Sequence, residues 1–369
     1  MRFLVITLAP TLLENEKYYS YAPYVKEMNL WFSYVDEVTI VSPTSYTQKL
    51  LKAPFERNDL EVISIPDISF GTVSTILKSI GAFPIICMRL FKAMRQADHI
   101  HLRCPATIGL IASFIQIFFP SKKKTVKYAG NWSPKTKQPL SYKLQKWILS
   151  NEFLSKNMSV LVYGNWQHQT KNIIPFFTAT YRDSEVPIMR TPEFTYPIQI
   201  LFVGSLSPGK RPMYVLEWAK ECLAQGLDIR VHFYGEGLQR PLLETYISQH
   251  QLQDRVVLYG NQPTEVVQEA YQKAHFLILP SKSEGWPKVI AEAMFWGVIP
   301  LVTPISCVPW MLGEGSRGML LDLDVSTDVS AFAKALKDSK SLKEMSIQGQ
   351  QWSHQYTLDA FENSIKELL

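Results

Sequence analysis

Two glutamates stand eight positions apart in SKSEGWPKVIAEAMFWG, residues 281–297, a stretch that is otherwise largely apolar. Glu284 follows Ser283 and precedes Gly285, Trp286 and Pro287. Pro287 suits the first position of a helix, where its fixed φ costs nothing and its missing N–H is not needed. The helix then runs through KVIAEAMFW and stops near Gly297. Glu284 falls in the turn before it, and Glu292 more than one turn inside. A helix start presents free N–H groups, which suit a phosphate or another anion. On these residues alone a plainer reading stays open, with Glu284 a surface acid favoured by the helix dipole and Glu292 a solvent-facing carboxylate.

Strand-to-helix turns are where such residues gain chemistry, and the chain is built to supply them. Short apolar, β-branched runs recur between helical stretches: 2–9, 37–43, 60–66, 99–105, 124–130 and 158–164 in the first half. The second half repeats the pattern at 198–206, 228–237, 255–261, 275–281, 298–304 and 317–324. Nearly continuous apolar runs ending in Gly, Pro or Ser predict strands covered on both faces. Alternation with helices predicts parallel sheets with right-handed crossovers. Between the two sets, residues 183–197 are rich in proline and charge and read as a linker. The expected organisation is α/β, with one doubly wound domain over 1–190, a second over 191–350 and a closing helix over 351–369. Ligands in such sheets bind at the carboxyl ends of the strands.

A length of 369 residues supports two domains. With 46% hydrophobic and 19% charged residues, disorder is excluded. The four cysteines are widely spaced, without a CxxC or CxxH pair, which points to a reducing cytoplasm rather than zinc or disulfides. MRFLVITLAP reads as a buried strand and not a signal peptide. The longest apolar stretch, 106–119, is short of the ~20 residues a bilayer crossing takes.

The net charge of +5 hides an asymmetry: residues 1–190 hold 23 Lys and Arg against 13 Asp and Glu, whereas the remainder is net acidic. An anionic partner for the first half is expected. Much of the excess lies in 122–147, where lysines alternate with Tyr128, Trp132, Tyr142 and Trp147. Such mixing suits an anionic membrane surface, or is simply a solvated basic face. No helix-turn-helix, RRM or zinc-finger signature accompanies it, so nucleic acid is not the expected partner.

The 281–297 stretch resembles the E-x7-E motif of the retaining glycosyltransferases of family four, which have the GT-B fold. That family shows Ser, then Glu-Gly-Phe-Gly or Glu-Gly-Leu-Pro, then a Glu-Ala-Met-Ala-x-Gly helix. Ser283, Glu284, Gly285, Trp286, Pro287, Glu292, Ala293, Met294 and Gly297 follow it. The resemblance covers most of 198–369 and, more weakly, the first half. It implies two Rossmann-like domains facing a central cleft. It implies too that Glu292 accepts hydrogen bonds from the ribose of a nucleotide sugar, that Glu284 contacts the hexose, and that N–H groups from Gly285 to Lys288 meet the sugar or diphosphate.

FVGSLSPGKRP, 202–212, resembles the family's Gly-Arg-Leu-x-x-x-Lys-Gly element. Gly204 and Lys210 match, while Ser205 stands where the family has arginine, which removes a fixed charge from the leaving group. Arg211 is the candidate replacement. The turns YGEG and YGN, 234–237 and 259–261, place Gly235 and Gly260 near the nucleotide base. On the acceptor side, Arg103 aligns with a family histidine at the end of the fourth strand; a surface-paired arginine is the competing reading. Asn131 and Trp132, after the fifth strand, are candidates to hold a sugar acceptor. Asp322 and Asp324 resemble an Asp-x-Asp metal pair, but their place before a helix suits capping, and no essential metal or other cofactor is expected.

The implied reaction moves a hexosyl unit from a nucleotide sugar, expected to be UDP-linked, to a saccharide or lipid-linked saccharide with retention, in cell-surface polysaccharide or glycolipid synthesis. A cytoplasmic protein, peripheral on the inner membrane face, follows. The rivals are a nucleotide-sugar 2-epimerase-like enzyme and a catalytically silent nucleotide-sugar-binding module.

Overall fold

The computed structural model describes residues 1–46, 51–66, 73–134 and 136–369. It divides into two compact units, Met1–Phe176 with Glu362–Leu369, and Phe177–Phe361. The division falls earlier than the proline-rich 183–197 segment, because the backbone from Phe177 onward already packs within the second unit: Phe177 lies edge-on to Tyr356 at 4.9 Å and to Phe361 at 5.8 Å.

The first unit holds strands β1 (Arg2–Ile6), β2 (Leu12–Glu14), β3 (Lys17–Tyr21), β4 (Glu37–Ser42), β5 (Lys52–Pro54), β6 (Glu61–Ser64), β7 (His99–Cys104), β8 (Lys123–Tyr128), β9 (Met158–Tyr163) and β10 (Ile173–Phe176). Seven of them form a sheet in the order β10-β9-β8-β7-β1-β4-β6, with every pairing parallel. The helices are α1 (Ala22–Phe32), α2 (Val73–Gln96), α3 (Thr107–Ile115) and α4 (Leu140–Ser150). Ile100, Leu102 and Val126 from the sheet pack with Leu90, Met94, Ile108, Ala112 and Leu149 from α2, α3 and α4 in one buried cluster. Apolar area removed from water across that layer is the main favourable term holding the unit together. A small antiparallel sheet, β2-β3-β5, stands apart from the main one. Tyr34 donates to Glu362 at 3.1 Å and takes the Lys366 ammonium over its ring at 4.9 Å, which fixes the last residues to this unit.

The second unit holds β11 (Ile198–Val203), β12 (Ile229–Tyr234), β13 (Val256–Gly260), β14 (Phe276–Leu279), β15 (Ile299–Val302) and β16 (Met319–Leu320), all parallel in the order β13-β12-β11-β14-β15-β16. The order reverses on either side of β11, as in doubly wound sheets. Its helices are α5 (Pro212–Ala224), α6 (Arg240–Gln249), α7 (Thr264–Lys273), α8 (Lys288–Phe295), α9 (Val308–Met311), α10 (Val325–Leu336), α11 (Ser339–Ser353) and α12 (Leu358–Leu368), the last ending in the first unit's contact set. Among the described residues, no helix is long and apolar enough to cross a membrane.

Candidate functional site

In the second unit the turns after β11, β12 and β13 lie one against the next. Gly204 N–H donates to the Tyr234 carbonyl at 2.9 Å, and Gly235 N–H to the Gly260 carbonyl at 2.8 Å. Leu206 N–H reaches the Glu236 carbonyl at 2.9 Å. A Cβ on Gly235 would sit 1.9 Å from the Gly204 carbonyl oxygen, and one on Gly237 2.5 Å from that of Leu206. These glycines are therefore required by turn-on-turn packing. The sequence had assigned Gly235 and Gly260 to close approach by a base; the nearest neighbour the structure gives Gly235 is backbone.

The turn after β11 is also tied to the turn after β14. Lys282 N–H donates to the Gly209 carbonyl at 2.8 Å, and the Lys210 ammonium forms a direct ion pair with Glu284. Both side chains are largely shielded, at 26% and 12% exposure. Arg211 takes a left-handed backbone (φ 51°), and its guanidinium donates to the Pro280 carbonyl at 3.1 Å. Arg211 thus braces the end of β14 rather than standing in for the missing arginine. Ser205 is exposed, with its hydroxyl 3.2 Å from that of Ser207.

Pro287 is the residue before α8, not its first member, because its ψ of 90° is not helical; the helix opens at Lys288. No side chain caps this start. The Gly285 carbonyl accepts from Ser306 Oγ at 3.3 Å and from Cys307 Sγ at 3.2 Å. Ser283 is exposed and Lys288 half-buried. Trp286, expected at the donor, is instead buried in an aromatic cluster, stacked on Trp352 at 6.0 Å and near Trp310 at 6.1 Å. Gly297 (φ 76°) ends the helix: its N–H bonds the Met294 carbonyl at 3.0 Å and the Val298 N–H that of Ala293 at 2.9 Å, a Schellman cap.

Glu292 does not face solvent alone. Thr180 Oγ1 donates to its Oε1 at 2.7 Å, and the Tyr271 hydroxyl to its Oε2 at 3.2 Å. Burial first, then the Glu292 charge, pushes the Tyr271 phenol well above its ordinary value, so Tyr271 keeps its proton and acts as donor. Both partners were absent from the sequence reading: Thr180 is 112 positions away and no local spacing marks it. A carboxylate offers about four acceptor sites, so each oxygen retains capacity for one more donor. A shallow pocket adjoins it, lined by Thr178, Tyr181, Lys288, Glu292 and Ser353 among others.

Candidates of the first unit have partners within their own unit. Arg103, near the end of β7, is ion-paired with Glu27 of α1 and lies over the Tyr24 ring at 5.3 Å. The paired reading of Arg103 describes it better than the catalytic one. Asn131 closes a turn, accepting the Ser133 N–H at 2.8 Å and donating to Thr136 at 3.0 Å. Trp132 is buried, edge-on to Tyr128 at 4.7 Å, with its N–H on Gln169 at 3.0 Å, so its faces are not a free platform for a sugar.

The lysines of 122–147 also differ from expectation. Lys124 and Lys127 are buried; Lys124 donates to the Phe119 carbonyl at 2.9 Å, and Lys127 lies 4.3 Å from the Phe176 ring centroid. Burial lowers Lys124 and Lys146 to about 8 each, and Lys146 sits over Trp132 at 5.0 Å. Long side chains carry their charge inward here, where carbonyls and ring faces receive it. Lys135 lies outside the described residues. Asp324 caps α10 by accepting the Thr327 N–H at 2.8 Å, as its position suggested.

A sequence model for the family described as glycosyl transferases group 1 matches residues 189–352. A putative colanic acid biosynthesis glycosyltransferase of Salmonella typhimurium is 28% identical over 165 residues, 43% of this chain and 38% of that protein. The α-D-kanosaminyltransferase of Streptomyces kanamyceticus is 26% identical over 145 residues, 39% of this chain and 38% of its own. The chain thus spans about two fifths of the curated relatives it matches. Among solved structures, Anabaena HepE in complex with UDP superposes with a TM-score of 0.67 at 14% identity, covering 100% of this chain and 99% of that one. A pneumococcal O-GlcNAc transferase, GtfA, with UDP and GlcNAc gives 0.62 at 12% identity over 100% and 99%. Two Rossmann-like units with these likenesses make the fold GT-B, and residues 189–352 match the group 1 glycosyltransferase family.

Proposed function

We propose that the chain transfers a hexosyl unit from a UDP-linked sugar to a saccharide or lipid-linked saccharide with retention of configuration, in the synthesis of a cell-surface polysaccharide or glycolipid, at the cytoplasmic membrane face. The observation that carries this is the convergence, within one unit, of Lys210 and Glu284 on the turn that opens α8, with Glu292 inside the same helix. The relatives, a putative colanic acid biosynthesis glycosyltransferase among them, and the UDP bound to HepE support the donor and acceptor classes.

In this reading the Lys210 ammonium and the positive end of the α8 dipole hold the diphosphate. Glu292 accepts from the ribose hydroxyls with its remaining lone pairs. Glu284 contacts the hexose while orienting Lys210. The bond from the anomeric carbon to the diphosphate oxygen breaks as the acceptor oxygen bonds that carbon on the same face. The acceptor's proton passes to the departing phosphate oxygen. No metal is required in this scheme, since the protein supplies the positive charge.

Ser205 favours a second reading, a silent nucleotide-sugar-binding module, because it withdraws one cation from the leaving group. Incubation with UDP-glucose, UDP-galactose, UDP-N-acetylglucosamine and GDP-mannose, with and without lipid-extract acceptors, separates the two. Nucleotide release with product formation is expected from one donor. Binding without release from any donor leaves the silent module, and neither binding nor release sinks both.

A further inference from the structure

Helices α2, α3 and α4 join strands that advance in one direction along the sheet, from β6 to β7, β8 and β9. Right-handed crossovers place all three on one face. They form a continuous layer, in which Phe91 of α2 lies 5.0 Å from Phe119 and 6.4 Å from Phe118. Their inward sides are the apolar core already described. Outward sides of such a layer are ordinarily polar, and here they are not. Ile85 and Met88 of α2 are 43% and 65% exposed. Phe114 of α3 and Phe118 just beyond it are 43% and 72% exposed, and Leu140 and Trp147 of α4 are 82% and 59%.

The charges on this face have one sign. Lys92, Arg95 and Lys143 are exposed between the apolar side chains, at helical spacing from Met88 and Trp147. Over residues 73–151 the sequence has thirteen Lys and Arg and a single acid, Asp98. That acid lies after α2 and accepts the Arg2 N–H at 2.7 Å. The next acid, Glu152, follows α4 and accepts the Lys171 N–H at 2.7 Å. An exposed apolar surface of this extent marks an interaction site. Aromatics and aliphatics interleaved with long cations, without acids, match the boundary between acyl chains and anionic headgroups. A second copy of this chain docked through the same face would set like cations against each other, with no acid on this face to balance them.

We propose that the outward face of α2, α3 and α4 docks on an anionic lipid bilayer. Met88, Phe118 and Trp147 enter the acyl boundary, while Lys92, Arg95 and Lys143 hold headgroups. The surface overlaps the 122–147 segment marked by composition at Leu140, Lys143 and Trp147, but leaves out Lys124 and Lys127 of that segment, which are buried. The proposal goes beyond the transfer reaction and does not depend on it.

The test is co-sedimentation of the full chain with vesicles of phosphatidylcholine alone and of phosphatidylcholine mixed with phosphatidylglycerol, without any donor sugar. Binding to the mixed vesicles only, weakened by salt, is expected. Lys92→Gln combined with Lys143→Gln lowers the affinity roughly 30-fold, at about a fivefold loss per cation. Phe118→Ser combined with Trp147→Ser lowers it by at least about tenfold. All four positions are exposed, and unchanged thermal melting confirms that the variants fold. Absence of binding, equal binding to both vesicle types, or affinities untouched by the substitutions overturns the proposal. So does a dimer in sedimentation equilibrium that the serine variant dissociates, which makes the face a contact between copies. Nucleotide release is read without lipid, so failure of the transferase reading and failure of docking are separate outcomes.

Discussion

Lys210 and Glu284, 74 positions apart in the chain, form a direct ion pair that joins the turn after β11 to the turn after β14. The pair sits where Lys282 N–H and the Gly209 carbonyl already bond the same two turns. The ammonium is thus held in place before any ligand arrives, the condition under which a fixed charge stabilises a leaving group without reorganising. Glu284→Gln keeps the shape and removes the charge. We expect kcat to fall about 100-fold with the donor KM within a few-fold, and Lys210→Ala to lose about 10²–10³ in kcat. Steady-state kinetics with the donor found by screening read both, and unchanged kcat in the two variants removes them from the chemistry.

Glu292 is expected to act on binding rather than turnover. Its carboxylate is oriented by Thr180 and Tyr271 and has lone pairs left for two more donors. Hydrogen bonds to a charged group contribute about 1.5–3 kcal/mol, so Glu292→Ala weakens nucleotide binding roughly 10- to 150-fold. Thr180→Val removes only a positioning donor, and its effect stays within a few-fold. Calorimetric titration with UDP measures both. A larger loss for Thr180→Val than for Glu292→Ala would contradict the assignment.

How much of this was visible in the sequence depends on whether the signal was local. All twelve expected apolar runs contain a strand, because burial on both faces forces continuous apolar segments. The β2-β3 hairpin was missed: its turn is Asn15-Glu16, both left-handed, and Glu is not a residue that announces such a turn. β10 was missed because Pro175 interrupts it, yet β10 is an edge strand, where a proline removes no ladder bond. At the site, the helix start and the two glutamates were legible from spacing. Lys210 was legible as well, through its resemblance to the family's lysine, but its pairing with Glu284 was not, and Thr180 and Tyr271 arrive only through the fold. Charge was counted correctly in 122–147, but composition carries no direction, and the buried lysines show the cost of reading it as surface.

Gly235 gives a prediction about folding alone. A Cβ there would lie 1.9 Å from the Gly204 carbonyl oxygen, and that atom belongs to backbone already bonded into the adjacent turn. Gly235→Ala must shift two turns or leave the helix-opening loops misaligned. Overpacking of this kind costs about 3 kcal/mol, a fall in Tm of roughly 6–12 °C for a unit of this size. Gly226→Ala is the control, because nothing lies within 4 Å of its added Cβ, although its φ of 80° carries some strain of its own. Differential scanning calorimetry compares them; equal shifts for the two substitutions would show that strain at positive φ, and not the clash, governs the effect.

The first unit should be sensitive to acid through His99 and His101. Both rings are buried and share the Thr125 hydroxyl, at 2.9 and 2.8 Å. Burial, and then Lys123, lowers His99 to about 4; burial, and then Arg103, holds His101 well below its ordinary value. A base whose pKa is lower folded than unfolded binds fewer protons in the folded state, so stability rises with pH across the window between the two values. Stability is therefore full above about 6.5 and is lost progressively as pH falls toward 4, by about 3 kcal/mol for His99 alone. Urea unfolding of the wild type and His99→Asn at pH 7, 6 and 5 measures it. The substitution lowers stability at pH 7 by breaking the Thr125 contact, but it flattens the decline toward pH 5. Parallel declines in the two proteins would show that other groups carry the acid sensitivity.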